Sequence, residues 1–136
     1  MIIVDTSVLI DLLRGKNTEA TLSLAIMDDR NIPFSIPVVC CQELLQGARN
    51  EREWKKLSEY LNTQHLVDLR YGWQSYKDAA RIFFDCRRKG RTVRSTIDCI
   101  VAQIALEYNA ELLHDDQDFE HIAKVRDLKK VLLAEP

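Results

Sequence analysis

Residues 2–4 are Ile, Ile and Val, and the run stops on an acid, Asp5. A short apolar run without polar alternation has the composition of a strand buried on both faces. Such a strand belongs to a parallel sheet. The rest of the chain must then supply its neighbours and the helices that cover it. Thr6 or Ser7 is placed to cap a first helix whose apolar positions are Val8, Leu9, Leu12 and Leu13. Asp5 is therefore expected at the carboxyl end of a central strand, the edge where open α/β sheets bind ligands.

The remaining sequence supplies the required elements. Residues 18–29 read as a helix with Ala20, Leu22, Leu24, Ala25 and Ile26 as its apolar surface, and 32–36 as a second strand. Pro37 suits a first helical position, and Cys41, Leu44, Leu45 and Ala48 follow at i, i+3, i+4, i+7. A charged helix over 51–62 turns Trp54, Leu57 and Leu61 inward, and a third strand covers 65–69. Residues 73–89 form a long helix with Ala79, Ile82, Phe83 and Cys86 on one face, stopped by Gly90. Ser95 or Thr96 caps the next helix, which keeps helical spacing from Ile97 to Tyr108. A strand at 111–113, a short helix at 119–123 and a last strand at 131–133 complete the alternation. The pattern predicts a single α/β domain over residues 1–136, with a parallel sheet covered on both faces.

Composition narrows the function. An apolar fraction of 46% and a charged fraction of 29% are those of an ordinary globular protein and exclude a disordered chain. No stretch approaches the roughly 18 apolar residues of a membrane span, and no signal peptide precedes Asp5, so no membrane partner and a cytoplasmic location are expected. Cys40, Cys41, Cys86 and Cys99 match no zinc spacing and read as reduced, buried small hydrophobes. The net charge of -2 does not announce a nucleic-acid binder. Its distribution is uneven: Arg81, Arg87, Arg88, Lys89, Arg91 and Arg94 share a stretch with one acid, Asp85.

Acids recur where this topology exposes its carboxyl edge. Asp5 ends strand one, Glu43 lies on the helix after strand two, Asp98 opens a helix, and Asp115, Asp116 and Asp118 follow a later strand. Right-handed crossovers can bring these places together. A carboxylate cluster needs a cation to neutralise it, and all-oxygen ligands select Mg²⁺ or Mn²⁺, ions suited to phosphodiester chemistry. Each acid alone has an ordinary reading: a cap, a solvated helical residue, or a complement to a helix dipole. Composition and periodicity deliver an α/β domain with an acidic edge, and stop there.

Four segments together resemble the PIN domain family: Ile3-Val4-Asp5-Thr6-Ser7-Val8-Leu9-Ile10, Gln42-Glu43-Leu44-Leu45-Gln46-Gly47-Ala48, Ser95-Thr96-Ile97-Asp98-Cys99-Ile100-Val101-Ala102 and Leu112-Leu113-His114-Asp115-Asp116-Gln117-Asp118-Phe119. They fall in family order, and the length resembles the VapC toxins of toxin–antitoxin pairs. The resemblance implies a three-layer α/β/α sandwich with a central parallel sheet. It also implies a Mg²⁺- or Mn²⁺-dependent endoribonuclease that inhibits translation until an antitoxin neutralises it. Asp5, Glu43, Asp98 and Asp116 carry over as the catalytic set. Asp5, Asp98 and Asp116 would hold the metal, and Glu43 would bind metal or orient the attacking water. Thr6 would support Asp5, and Asp118 would support or replace Asp116. Where many relatives have Thr or Ser, this chain has His114, expected to be structural rather than catalytic.

The expected reaction is attack of a metal-activated water on a phosphodiester, leaving a 3′-hydroxyl and a 5′-phosphate. The implied substrate is RNA, with tRNA favoured. Arg87, Arg88, Lys89, Arg91 and Arg94, with Arg14, Lys16 and Arg49, are the candidates for phosphate contacts around an acidic pocket. The implied partners are a VapB-like antitoxin, received by the first two helices and the helix after strand two, and a second copy in a homodimer. A silent protein-binding module and a DNA-processing nuclease are the alternatives. Retention of all four acid positions disfavours the first, and the sequence does not separate RNA from DNA.

Overall fold

The structure is a computed structural model, and it describes residues 1–131. In chain order the elements are β1 (Ile2–Val4), α1 (Thr6–Leu13), α2 (Glu19–Asp29), β2 (Ile36–Pro37), α3 (Val38–Gln46), α4 (Glu51–Asn62), β3 (Leu66–Val67), α5 (Trp73–Arg88), α6 (Thr96–Glu107), β4 (Glu111–Leu113), α7 (Gln117–Ile122) and β5 (Lys129–Lys130). β1 pairs in parallel with β4, Ile3 opposite Leu112 and Val4 opposite Leu113, and β4 pairs in parallel with β5. β2 and β3 form a second parallel pair. The pairs join where Ser35 N donates to Ile2 O at 2.9 Å and Val4 N donates to Ser35 O at 3.0 Å. The strand order is β3-β2-β1-β4-β5.

Successive residues of a strand face opposite sides of the sheet. Ile3 and Val4 are both fully buried, as are Leu112 and Leu113, so both faces are covered. That burial makes the molecule a three-layer α/β/α sandwich, as the apolar β1 run requires. The core continues through Val8, Ile36, Cys40, Ile82, Ile104, Phe119 and Ile122. All four cysteines are free and buried. No helix among the described residues is long and apolar enough to cross a membrane.

Several boundaries differ from the sequence reading, each for a local reason. Asp5, rather than Thr6 or Ser7, caps α1, because its carboxylate is the stronger acceptor for the Ser7 amide. Leu12 and Leu13 of that helix are exposed, as is Leu22 of α2, while Met27 takes an inward place. β2 and β3 shrink to two residues each, and Pro37 ends β2 and caps α3 instead of opening it. α3 stops at Gln46, so Ala48 lies beyond the helix, and Cys40 joins Cys41 in the core. Trp54 and Phe83 face solvent. α7 spans Gln117–Ile122 because Asp116 caps it. β5 is Lys129–Lys130, ahead of the expected 131–133; Leu132 and Leu133 lie outside the described residues.

Candidate active site

The carboxyl ends of β1 and β4 lie side by side, and the acids gather there. Asp5 leaves β1 and is buried. Its Oδ2 accepts from Ser7 N at 3.1 Å and Ser7 Oγ at 2.6 Å, and the Cys40 thiol points at Oδ1 from 3.8 Å. Burial pushes the Asp5 carboxyl up, against the opposing pull of the Ser7 hydrogen bonds. Thr6 Oγ1 donates to Glu43 Oε1 at 2.9 Å, tying the first turn of α1 to α3. Glu43 is half-buried and its carboxyl is raised, by desolvation first and then by the charges of Asp5 and Asp116.

Ser95 caps α6 and sets Asp98 in its first turn, turned inward. Among the described residues, Asp98 Oδ2 is the buried side-chain atom without a hydrogen-bond partner. Burial, then the Asp116 and Asp5 charges, hold the Asp98 carboxyl well above the usual carboxylate range. Asp116 caps α7 and accepts from Asp118 N at 2.9 Å. Asp118 Oδ2 accepts from Arg94 N at 2.9 Å and Ser95 N at 3.2 Å, clamping α7 to the start of α6. One carboxylate oxygen from each of Asp98, Asp116 and Asp118 lies within 4.8 Å of the others. These three and Glu43 line an open cleft of about 470 Å³, with Arg94 and His121 on its rim. Three converging acids, one with an unpartnered buried oxygen, fit a hard divalent cation: the like charges repel until a cation supplies the missing partner.

The structure thus brings together Glu43, Asp98, Asp116 and Asp118, with Asp5 behind them and Thr6 bridging to Glu43. The basic residues divide. Arg94 lines the cleft, and Arg91 reaches it through His121 Nδ1, 3.4 Å from its guanidinium. Arg14 and Arg49 line a separate groove of about 540 Å³, floored by Ile10, Leu13, Leu44 and Leu57, which meets the cleft at Glu43. Lys16 sits 3.9 Å from Asp11. Arg87 and Arg88 lie over the rings of Phe83 and Phe84 on α5. Lys89 faces another hollow, with Asp85 and Arg126.

His114 is buried behind this edge, 4.8 Å from the Phe119 ring. Burial and the nearby Lys130 charge push its imidazole down to about 4, so the ring is neutral. The 4.0 Å approach of Nε2 to Glu120 is therefore not an ion pair; Glu120 pairs with Lys130 at 2.8 Å. Sequence reasoning treated Ser7 only as a possible cap and gave Cys40 no part in the site. The Asp5-Thr6-Ser7 spacing, in which an acid accepts from the residue two ahead, was the available signal for Ser7.

The PIN domain model matches residues 2–125. The chain belongs to the PIN domain family. This PIN chain is 28% identical over 136 residues to a protein named Ribonuclease VapC11 of Mycobacterium tuberculosis, covering 95% of this chain and 96% of that one. A VapC ribonuclease of Mycobacterium bovis matches with the same identity and coverage. Among solved structures, VapBC-1 from nontypeable Haemophilus influenzae superposes with a TM-score of 0.71 at 19% identity, covering 99% of this chain and 100% of that one. VapBC2 from Rickettsia felis, bound to a DNA fragment from its promoter, gives 0.73 at 17% identity, covering 96% and 98%. These likenesses show the PIN fold.

Proposed function

We propose that this PIN domain is a divalent-metal-dependent endoribonuclease and the toxin of a toxin–antitoxin pair. The observation that carries the reading is the Asp98 carboxylate, buried with one oxygen unpartnered and within 4.8 Å of Asp116 and Asp118. Curated relatives along nearly the whole chain are named as VapC ribonucleases, which supports RNA as the substrate class. Asp98 and Asp116 would hold Mg²⁺, or Mn²⁺ in its place, with Asp5 or Asp118 as the third carboxylate, and the ion would supply charge neutralisation, a more acidic water and stabilisation of the leaving oxygen.

The protein's own groups divide the remaining work. Ser7 fixes the Asp5 carboxylate through two hydrogen bonds, so Asp5 needs no reorganisation to act as a ligand. Thr6 occupies Glu43 Oε1 and leaves Oε2 to orient the attacking water and take its proton. The raised Glu43 carboxyl suits a base that holds a proton at the cleft. Water oxygen bonds to phosphorus, the bond from phosphorus to O3′ breaks, and the products are a 3′-hydroxyl and a 5′-phosphate. Asp118 ties α7 to the start of α6 through the Arg94 and Ser95 amides. Arg94 and Arg91 offset the acid charge for incoming phosphates.

The groove of Ile10, Leu13, Leu44 and Leu57, rimmed by Arg14, Arg49 and Lys56, is where a VapB-like antitoxin would seat an apolar segment beside Glu43. The outer face of α5 carries exposed Trp73, Tyr76 and Phe83, which supports a homodimer. The favoured target is tRNA in the cytoplasm, with loss of translation as the result.

The test is incubation of a total-RNA pool with antitoxin-free protein and Mg²⁺ or Mn²⁺, with EDTA and Asp98→Asn controls and sequencing of new 5′ ends. Discrete cuts lost in both controls are the expected result. Cleavage that persists in both, or an intact RNA pool beside cut DNA, would overturn the reading.

A further inference from the structure

We infer that His114 is a positioning residue: its Nδ1 accepts from the Asp116 amide and so fixes the turn that carries Asp116 to the cleft. The inference rests on the nuclease reading above and adds a residue that does not line the cleft. Asp116 N donates to His114 Nδ1 at 3.3 Å. An imidazole nitrogen accepts only when it carries no proton, so the ring is in the Nε2–H form. The surroundings favour that form. Nε2 faces the Glu120 carboxylate at 4.0 Å, and Lys130 holds Glu120 in place at 2.8 Å. The ring cannot drift, because it is buried and packed at a 47° tilt against the fully buried Phe119.

The acceptor matters because Nδ1 is the partner of the Asp116 amide itself, while Phe119 N on the Asp116 carbonyl and the Arg94 and Ser95 amides on Asp118 hold the neighbouring positions. Asp115 N donates to Ser7 Oγ at 3.4 Å, the same hydroxyl that donates to Asp5. Asp116 N takes His114, and Asp118 N takes the Asp116 carboxylate. Without Nδ1, the Asp116 amide loses its partner in a half-buried place and the backbone is free to turn. Asp116 would then lose its register with Asp98, while Asp118 stays held by the Arg94 and Ser95 amides. His114 thus acts through Asp116 and touches neither phosphate nor metal. Lys130 of β5 and Glu120 of α7 steady it from the far side, so the last strand of the sheet braces the acid loop.

Two measurements test this. The first is the ¹⁵N–¹H spectrum of the imidazole in metal-free protein. A proton on Nε2 with bare Nδ1 is expected; a proton on Nδ1 would overturn the inference. The second is Mn²⁺ affinity, read by the free-Mn²⁺ signal in electron paramagnetic resonance. Asn places an acceptor near the Nδ1 position, Gln near Nε2, and Leu offers none. His114→Asn should stay within about threefold of wild type, while His114→Gln and His114→Leu should weaken Mn²⁺ by about tenfold or more. If His114→Leu does not fold, the Asn and Gln pair decides alone. Equal Mn²⁺ affinity in all folded variants would overturn the role of His114 and leave the nuclease reading intact. Failure of wild-type protein to bind Mn²⁺ would overturn both.

Discussion

Asp98 sits where a carboxylate is electrostatically costly. It opens a well-capped helix, yet its carboxylate is buried with one oxygen unpartnered among other acids. Its carboxyl is raised far above the unfolded value, so folded protein binds the proton more tightly than unfolded protein. With that sign, stability falls as pH rises above the ordinary carboxylate range. Asp98→Asn should therefore melt higher than wild type in EDTA at pH 8, by about 1–3 kcal/mol, because the amide can donate to Asp116 or Asp118. Equal or lower melting would show that the burial carries no such cost. His114 has the opposite sign. Its folded value, about 4, lies below the unfolded one, so its contribution is complete above pH 6.5 and is lost as pH falls towards 4. Wild type minus His114→Asn isolates it: the difference in melting stability should shrink by at most about 3 kcal/mol across that window. At this scale the sequence showed which acids to watch, because Asp5, Asp98 and Asp116 each follow a strand or open a helix. It did not show that Asp5 caps α1 itself. The acid and two hydroxyls stand in consecutive positions, and the contest between them is settled by geometry.

Among the elements, α5 shows where periodicity runs short. Ala79, Ile82, Phe83 and Cys86 fit one helical face on paper, but the buried set is Ser75, Ala79, Ile82 and Cys86. Phe83 falls one position later, about 100° round the helix, and joins Tyr76 over a hollow shared with Thr96 and Ile100. A window that counts apolar residues cannot tell an inner stripe from an outer one when a helix carries both. Phe83→Asp should leave the melting temperature within a few degrees of wild type and convert a dimer to monomer in light scattering. A monomeric wild type would remove this face from the assembly. The strands failed differently. Residues 32–36 and 65–69 are apolar enough for full strands, but pairing is confined to Ile36–Pro37 and Leu66–Val67. After Pro37 the chain turns at once into α3. β2 is shortened at its start instead, because Ile32 N is taken by Met27 O of α2 at 2.8 Å and Pro33 has no N–H to give a neighbouring strand.

For the whole molecule, the strand order explains why scattered acids converge. The chain builds β1, β2 and β3 outward on one side, then returns to place β4 beside β1. That reversal is the topological switch point, where a crevice opens at the carboxyl edge. Asp5 exits β1 and Asp116 follows β4 on its two sides, while α6, running back towards the start of β4, presents Asp98 from its first turn. Alternation of short apolar runs with helices made a parallel, doubly covered sheet readable before any coordinates, but neither the strand order nor the spread of the basic residues. They cluster in sequence from Arg81 to Arg94, but the fold sends Arg87 and Arg88 onto the outer face of α5 and Arg94 to the cleft. The field at the cleft should therefore come from two arginines and not from the whole run. In an Asp98→Asn background that binds without cutting, reversing Arg91 and Arg94 to Glu should weaken RNA binding and flatten its salt dependence. For a single-stranded RNA, the loss of two phosphate contacts makes the slope of log K against log salt shallower by about 1.4. The same reversal at Arg87 and Arg88 should move that slope by less than half as much. If the two pairs changed it equally, the phosphates would track along α5, and the aromatic face would belong to RNA instead of to a second copy.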